Sequence, residues 1–364
     1  MTFPFESLRA SQPELEEEAS ANDRDGGFPV AGLARLRSLG GMSAALPQAL
    51  GGFGLGTEPN SSTDLMRLLR LTGEGNLSLG RLLEGHVNAI RLVFRYGDAE
   101  QLHRLAAAIH DGALAGIWVT ETTNGVRMTR VGSTYALHGE KMFASGALHV
   151  TRPLITAETT TGETRMLVVP LDAARKATES IGSLCGMHGA GTGTCNFSGM
   201  HVTPDALVGQ AGDYLRQPEF SVGAWRGMAV ALGGIDRLVT LFRKQLVARR
   251  RETSAAQKDR IGLALIAKET AALWTRRAAY VTEDAVLDPD EAVAIVNLAR
   301  IAVERAGLTV IELVQRGLGL SAFVKTNVVE RIMRDLATYL RQPAPDETLA
   351  EAATYFTHNE FSQA

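Results

Sequence analysis

Gly139-Glu-Lys-Met-Phe-Ala-Ser-Gly146 decides how this chain is read, because of what stands on either side of it. Trp118-Val-Thr-Glu121 lies about twenty residues upstream. Gly186-Met-His-Gly-Ala-Gly-Thr-Gly-Thr-Cys195 lies roughly forty-five downstream and runs into Val202-Thr-Pro204. Each piece alone is weak, since glycine-rich turns and Lys-Met pairs occur everywhere. The order and spacing carry the signal. Short β-rich runs surround them: Ile117 to Thr120, Gly132 to His138, His149 to Thr156 and Met166 to Val169. Gly, Thr and Asn punctuate these runs, as a compact barrel or sandwich requires.

Both flanks are helical in pattern. Upstream, Val30, Leu33, Leu36 and Leu39 recur at three-residue spacing, as do Leu65, Leu68 and Leu71. Ser62 and Thr63 before Asp64 offer an N-cap, and Asp98-Ala-Glu-Gln101 reads as a further helix start. Residues 1–26 are polar, with acidic residues at 14–18 and a Gly26-Gly27 break, and are expected to be a loosely held leader with one short helix. Downstream, Met228 to Leu241, Ala264 to Ala279 and Ala292 to Leu313 predict two long helices and two or three others in a bundle. Helices, then strands, then a bundle is not a doubly wound order.

At 364 residues the chain exceeds one compact core. It is 45% hydrophobic and 21% charged, with a net charge of −3 and pI near 6.3. That balance gives no reason to expect nucleic acid or an anionic membrane as partner. Cys185 and Cys195 form no disulfide framework or metal site. With neither a signal peptide nor an apolar run of about 20 residues, the expected location is cytoplasmic.

In order and spacing, the barrel segments resemble the middle domain of the acyl-CoA dehydrogenase superfamily. Ala45-Leu-Pro-Gln-Ala-Leu-Gly-Gly-Phe-Gly54 is similar to its early P-x-x-x-G-G segment, and Glu330-Arg-Ile-Met-Arg-Asp335 to its late Arg-Asp helix. The resemblance implies an α+β multidomain fold: a leader (1–26), an N-terminal all-α domain (27–114), a small β-barrel flavin domain (115–215) and a C-terminal four-helix bundle (216–364). It implies FAD, or FMN, with the flavin's pyrimidine edge at Val119 and Thr120, an aromatic on the ring at Phe143 and a hydroxyl toward N5 at Ser145. Gly125 retains the turn that meets substrate, while Val126 and Arg127 replace the family's Ser and Asp. Arg226 and Arg251, twenty-five residues apart, match a buried Arg near substrate and an Arg reaching the neighbouring subunit's flavin diphosphate. Gln315 and Gly319 resemble the turn that approaches the same diphosphate. A homodimer or homotetramer follows, with an electron-transfer flavoprotein or a flavin reductase as redox partner.

The resemblance fails at the catalytic base. Dehydrogenating an acyl thioester needs a carboxylate to take the α-proton, and the family places a Glu about nine residues after the late Arg-Asp pair. Here that stretch is Leu340-Arg-Gln-Pro-Ala-Pro345, and the alternative position, before Arg226, is Trp225. His86, within Glu84-Gly-His-Val-Asn88, is the candidate that remains, with a structural histidine as the competing reading. The leading function is a flavin-dependent oxidoreductase acting on an acyl thioester or related small molecule. The alternatives are a monooxygenase of the same fold, using reduced flavin and O2, and a flavin-free interaction protein.

Overall fold

A computed structural model describes residues 2–171, 176–179 and 184–362. Six helices come first: α1 (Phe5–Ala10), α2 (Gln12–Asp25), α3 (Val30–Ser38), α4 (Ser62–Gly75), α5 (Leu77–Tyr96) and α6 (Ala99–His110). Ten strands follow: β1 (Ala115–Trp118), β2 (Arg127–Val131), β3 (Thr134–His138), β4 (Glu140–Ala144), β5 (Arg152–Thr159), β6 (Thr164–Val168), β7 (Lys176–Glu179), β8 (Gly193–Asn196), β9 (Met200–Val202) and β10 (Leu207–Val208). The chain ends in α7 (Glu219–Val222), α8 (Ala224–Ala248), α9 (Ala255–Glu283), α10 (Pro289–Leu318), α11 (Val328–Tyr339) and α12 (Pro345–His358).

The leucine spacing of the first helices has its expected consequence. Leu65, Leu68, Leu69 and Leu71 of α4 and Leu79, Leu83 and Ile90 of α5 are buried on one core. Asp98 and Gln101 cap α6 reciprocally, each side chain accepting from the other's backbone N–H at 2.8 and 3.0 Å. The expected cap at Ser62 and Thr63 is not used: α4 already starts at Ser62, whose hydroxyl turns to Asp284 instead. α4 crosses α8 closely because both are glycine at the contact. A Cβ on Gly73 would strike the Val230 carbonyl, and one on Gly233 would strike that of Arg70.

The first 25 residues are a packed part of the molecule, contrary to the loose leader expected. They form two helices that bury Phe3, Phe5, Leu8 and Leu15. Glu16 pairs with Arg237 of α8, and Asp23 accepts from Arg334 of α11 at 2.7 and 2.9 Å.

Seven strands form one sheet in the order β10-β6-β5-β2-β3-β9, with β1 parallel to β5; β4, β8 and β7 form a second. Along β4 the register shifts between Lys141 and Ala144. Inside that bulge Phe143 takes φ of +51°, a left-handed conformation uncommon for a bulky side chain. In the last part, α8, α9 and α10 run for 25, 29 and 30 residues, three long helices where two were expected. Ile295 and Ile301 of α10 are buried, whereas Leu263, Leu265, Ile266 and Leu273 of α9 are exposed. The uncovered apolar face is therefore on α9.

Candidate functional site

The segment after β1 and the end of β4 bring four of the predicted flavin residues near one another. The chain leaves β1 through Val119 and Thr120, whose carbonyl accepts from the Met142 N–H of β4 at 3.1 Å. Glu121 and Lys141 then face each other in an antiparallel bridge. Lys141 is wholly buried, its ammonium against the Glu121 carboxylate and 2.9 Å from Thr156 Oγ1. Burial pulls the ammonium below the ordinary lysine range, and Glu121 opposes that pull. Glu121 also accepts from the Val126 N–H at 3.1 Å, which pins the turn carrying Gly125. On the other side, Trp118 Nε1 donates to the Ser145 carbonyl at 2.9 Å. Phe143 projects outward, 54% exposed. Thr120 is exposed and Ser145 half-buried.

Beside Ser145 and Trp118 lies a narrow recess of about 10 Å³, room for one water at most, whose wall includes Arg81, Gly85, Gly116 and Ile117. Behind it a chain of polar groups crosses from α5 to α8 and α9. Arg81 and Asn88 both meet Glu84, Arg226 meets Asn88, and Glu283 accepts from Arg226 at 2.8 Å. Arg91 closes the chain on Glu283 at 2.8 Å. Arg226, expected to meet substrate, is 5% exposed and committed to Asn88 and Glu283. Burial brings its guanidinium down to about 10, Glu283 opposing.

His86, the candidate base, has both ring nitrogens engaged by backbone groups. It is fully buried, with Nε2 2.7 Å from the Met42 carbonyl and Nδ1 accepting from the Ala115 N–H at 2.9 Å. These partners fix the neutral ring with its proton on Nε2. Burial lowers its pKa to about 4. The ring ties α5 to the start of β1. Trp225 is equally closed, its Nε1 donating to Glu283 at 3.1 Å. Asp346 and Glu347 sit exposed in the first turn of α12. Among the described residues, none that lines the recess is a carboxylate.

The remaining predicted residues gather elsewhere. Arg251 follows the end of α8, and Gln315 and Gly319 lie at the end of α10, the Gly319 N–H bonding the Gln315 carbonyl. Arg249 to Ser321 (2.7 Å) and Gln257 to the Gly317 carbonyl (3.0 Å) hold these ends together. From Arg226, which faces the recess side, to Arg249 is about 35 Å at 1.5 Å per helical residue. One chain therefore separates the two groups.

The late motif pair is structural. Met187 N–H donates to Asp335 at 2.6 Å, and Gly186 packs so closely on the Arg334 backbone that a side chain there would collide. Sequence reasoning singled out Glu84 and Asn88 but missed Arg81, Glu283 and the buried Tyr339. An arginine one turn before Glu84 on a leucine-rich helix was the available signal for the first.

No family model matches the chain. Among curated proteins it is 27% identical over 144 residues to 3-sulfinopropanoyl-CoA desulfinase of Variovorax paradoxus, covering 37% of this chain and 35% of that one. To the Cupriavidus necator enzyme of the same name it is 29% identical over 136 residues, covering 35% and 33%. The chain thus matches about a third of the length of these relatives. Solved structures match nearly throughout. Dibenzothiophene monooxygenase from Paenibacillus sp. A11-2 superposes with a TM-score of 0.85 at 18% identity, covering 98% of both chains. Butyryl-CoA dehydrogenase from Megasphaera elsdenii gives 0.85 at 14% identity, covering 97% of both. This chain has the acyl-CoA dehydrogenase fold, which those two proteins share.

Proposed function

We propose that the chain is a flavin-dependent oxidoreductase of acyl-CoA dehydrogenase type acting on an acyl thioester or a related small molecule. The observation that carries this reading is the approach of the segment after β1, with Val119 and Thr120, to β4 and the turn after it, with Phe143 and Ser145. A flavin needs an apolar face and hydrogen-bonding groups at its polar edge. The outward ring of Phe143 offers the first, and the backbone and hydroxyls of Val119, Thr120 and Ser145 offer the second. The Lys141–Glu121 pair and the Trp118–Ser145 bond hold both strands in place. A bound flavin supplies a two-electron acceptor. The shared name of the curated relatives supports a CoA thioester as substrate class.

A symmetric homodimer completes the reading. Arg251, Gln315 and Gly319 of one subunit would then meet the diphosphate of FAD in the next, and the exposed apolar face of α9 would be covered. FMN lacks that diphosphate and would leave those three residues unused.

A second reading, a monooxygenase served by a flavin reductase, is favoured by one observation: no carboxylate lines the recess among the described residues. Titration with FAD and FMN, followed by anaerobic mixing with butyryl-CoA, decides between them. Rapid bleaching supports the dehydrogenase. No bleaching, with fast reoxidation in air through a peroxyflavin after dithionite reduction, supports the monooxygenase. Failure to bind either flavin overturns both.

A further inference from the structure

We infer that the groove between the start of α4 and the last turns of α9 binds a phosphate monoester carrying a compact apolar body. The groove shares no residue with the flavin segments or the buried polar chain, so the inference goes beyond the flavin-enzyme reading and does not rest on it.

Between the two helices lies a cavity of about 520 Å³, inside the roughly 300–1,000 Å³ typical of small-molecule sites. Steps of three and four residues set Leu273, Arg276, Arg277 and Tyr280 on one face of α9. Across from them stand Ser62, Thr63 and Met66 in the first turns of α4.

The α9 wall is positively charged. Arg277 donates to the Ser362 carbonyl at 3.3 Å and lies over the Phe361 ring at 5.1 Å. Arg276 is exposed and makes no hydrogen bond or ion pair among the described residues. Neither guanidinium has a carboxylate partner there, and Asp64 and Asp284, the acids nearest in sequence, are not part of the lining. An anion held between the two arginines would relieve their mutual repulsion.

The α4 wall adds donors. Ser61 commits its hydroxyl to the Glu58 carbonyl and the Gly56 N–H, at 2.6 and 2.7 Å, and Ser62 turns its own to Asp284. No side chain therefore caps α4, and its first N–H groups keep the positive end of the helix dipole available to an anion. The hydroxyls of Thr63 and Tyr280 stand beside them. A phosphate monoester carries close to two negative charges at neutral pH, which matches two guanidinium groups; a carboxylate would leave one of them unpaired. Met66, Leu273 and the Tyr280 ring then receive the apolar body. Leu273 and Tyr280 are 53% and 45% exposed, surface that such a body would cover.

Calorimetric titration with phenyl phosphate, inorganic phosphate and 4-phenylbutyrate tests this. Leu273 also belongs to the α9 face assigned above to the dimer, so the titration uses the assembled protein. Phenyl phosphate should bind once per chain. Its affinity should be at least about tenfold above that of inorganic phosphate, which lacks the ring, and of 4-phenylbutyrate, which has one charge. Arg276→Gln and Arg277→Gln should each weaken phenyl phosphate about tenfold, and Arg276→Lys should keep part of the affinity. Leu273→Ala should weaken phenyl phosphate and leave inorganic phosphate unchanged. Arg250→Gln, an exposed arginine before the opposite end of α9, should change neither. Melting temperatures confirm that each variant is folded. No binding of phenyl phosphate, equal or tighter binding of either other anion, or unchanged affinity in both glutamine variants overturns the inference. The titration gives its answer whether or not the protein takes up flavin, so the two readings fail separately.

Discussion

Lys141 has none of its side chain exposed, and its ammonium lies against the carboxylate of Glu121 across the bridge that joins β4 to the end of β1. Each of the two strand segments that identify the fold contributes one member of this pair. Removing the acid alone should leave a buried ammonium with only Thr156. Because Glu121 is 46% exposed, Glu121→Ala should cost about 2 kcal/mol, less than a fully buried pair. The double variant Glu121→Gln/Lys141→Met should recover most of it in urea unfolding. An unchanged midpoint for Glu121→Ala would show that water replaces the carboxylate.

Phe143 should separate stability from function. Its left-handed backbone is strained for a bulky residue, and its ring lies mostly in solvent. Phe143→Gly should keep or raise the unfolding midpoint, with relief of up to about 1 kcal/mol, while flavin affinity falls. Phe143→Asp should abolish flavin uptake by setting a charge against the ring. A melting temperature several degrees lower for Phe143→Gly would mean that the ring is core.

His86 sets an acid limit on stability. In the unfolded chain it titrates near 6.5, and in the folded chain at about 4. Between those values the unfolded state binds a proton that the folded state refuses. Stability from this group is therefore complete above pH 6.5 and is lost as pH falls, by about 3 kcal/mol at pH 4. His86→Gln can keep both backbone bonds without the charge, so its stability should be flatter over that window. Parallel pH profiles for the two proteins would contradict the assignment.

Two glycines on α8 should respond in opposite ways to alanine. At Gly233 the new methyl meets the Arg70 backbone, and the variant should lose about 2 kcal/mol or more. At Gly227 it meets only the Tyr339 hydroxyl, at 3.4 Å, so the gain in helix propensity of about 0.5–1 kcal/mol should prevail. Thermal unfolding of the pair checks this. Equal losses would show that α8 and α4 do not touch as described.

Assembly is checked by light scattering of the flavin-bound protein. A dimer or tetramer is expected, and Ile266→Asp on the exposed face of α9 should dissociate it without unfolding the subunit. A wild-type mass near 39.0 kDa at micromolar concentration would sink the shared-site reading.

The strand segments were legible because their signal is local: the short β-rich runs, the glycine turns between them, and the order and spacing of the segments around Glu121, Lys141 and Gly186. Helix periodicity gave α3, α4 and α10 for the same reason. The first 25 residues were misread because their few apolar residues are scattered among acids, and what buries them lies on α4, α8 and α11. The partners of His86 stand 44 and 29 residues away, so only the fold shows both ring nitrogens taken. Arg81 escaped notice for the converse reason: its meaning depends on the recess that β1 forms beside it.

The clasp between Asp23 and Arg334 joins residues 311 positions apart, and Arg334 also bonds the Cys185 carbonyl, with Met187 held by the adjacent Asp335. During synthesis at about 5–20 residues per second, Asp23 waits roughly 15–60 s for its arginine. Until then the glycine-rich loop has no late helix to rest on. A ribosome stalled before codon 334 would therefore hold a protein whose strands are all present but whose central loop is unfastened, which makes that interval the natural window for chaperone capture or proteolysis.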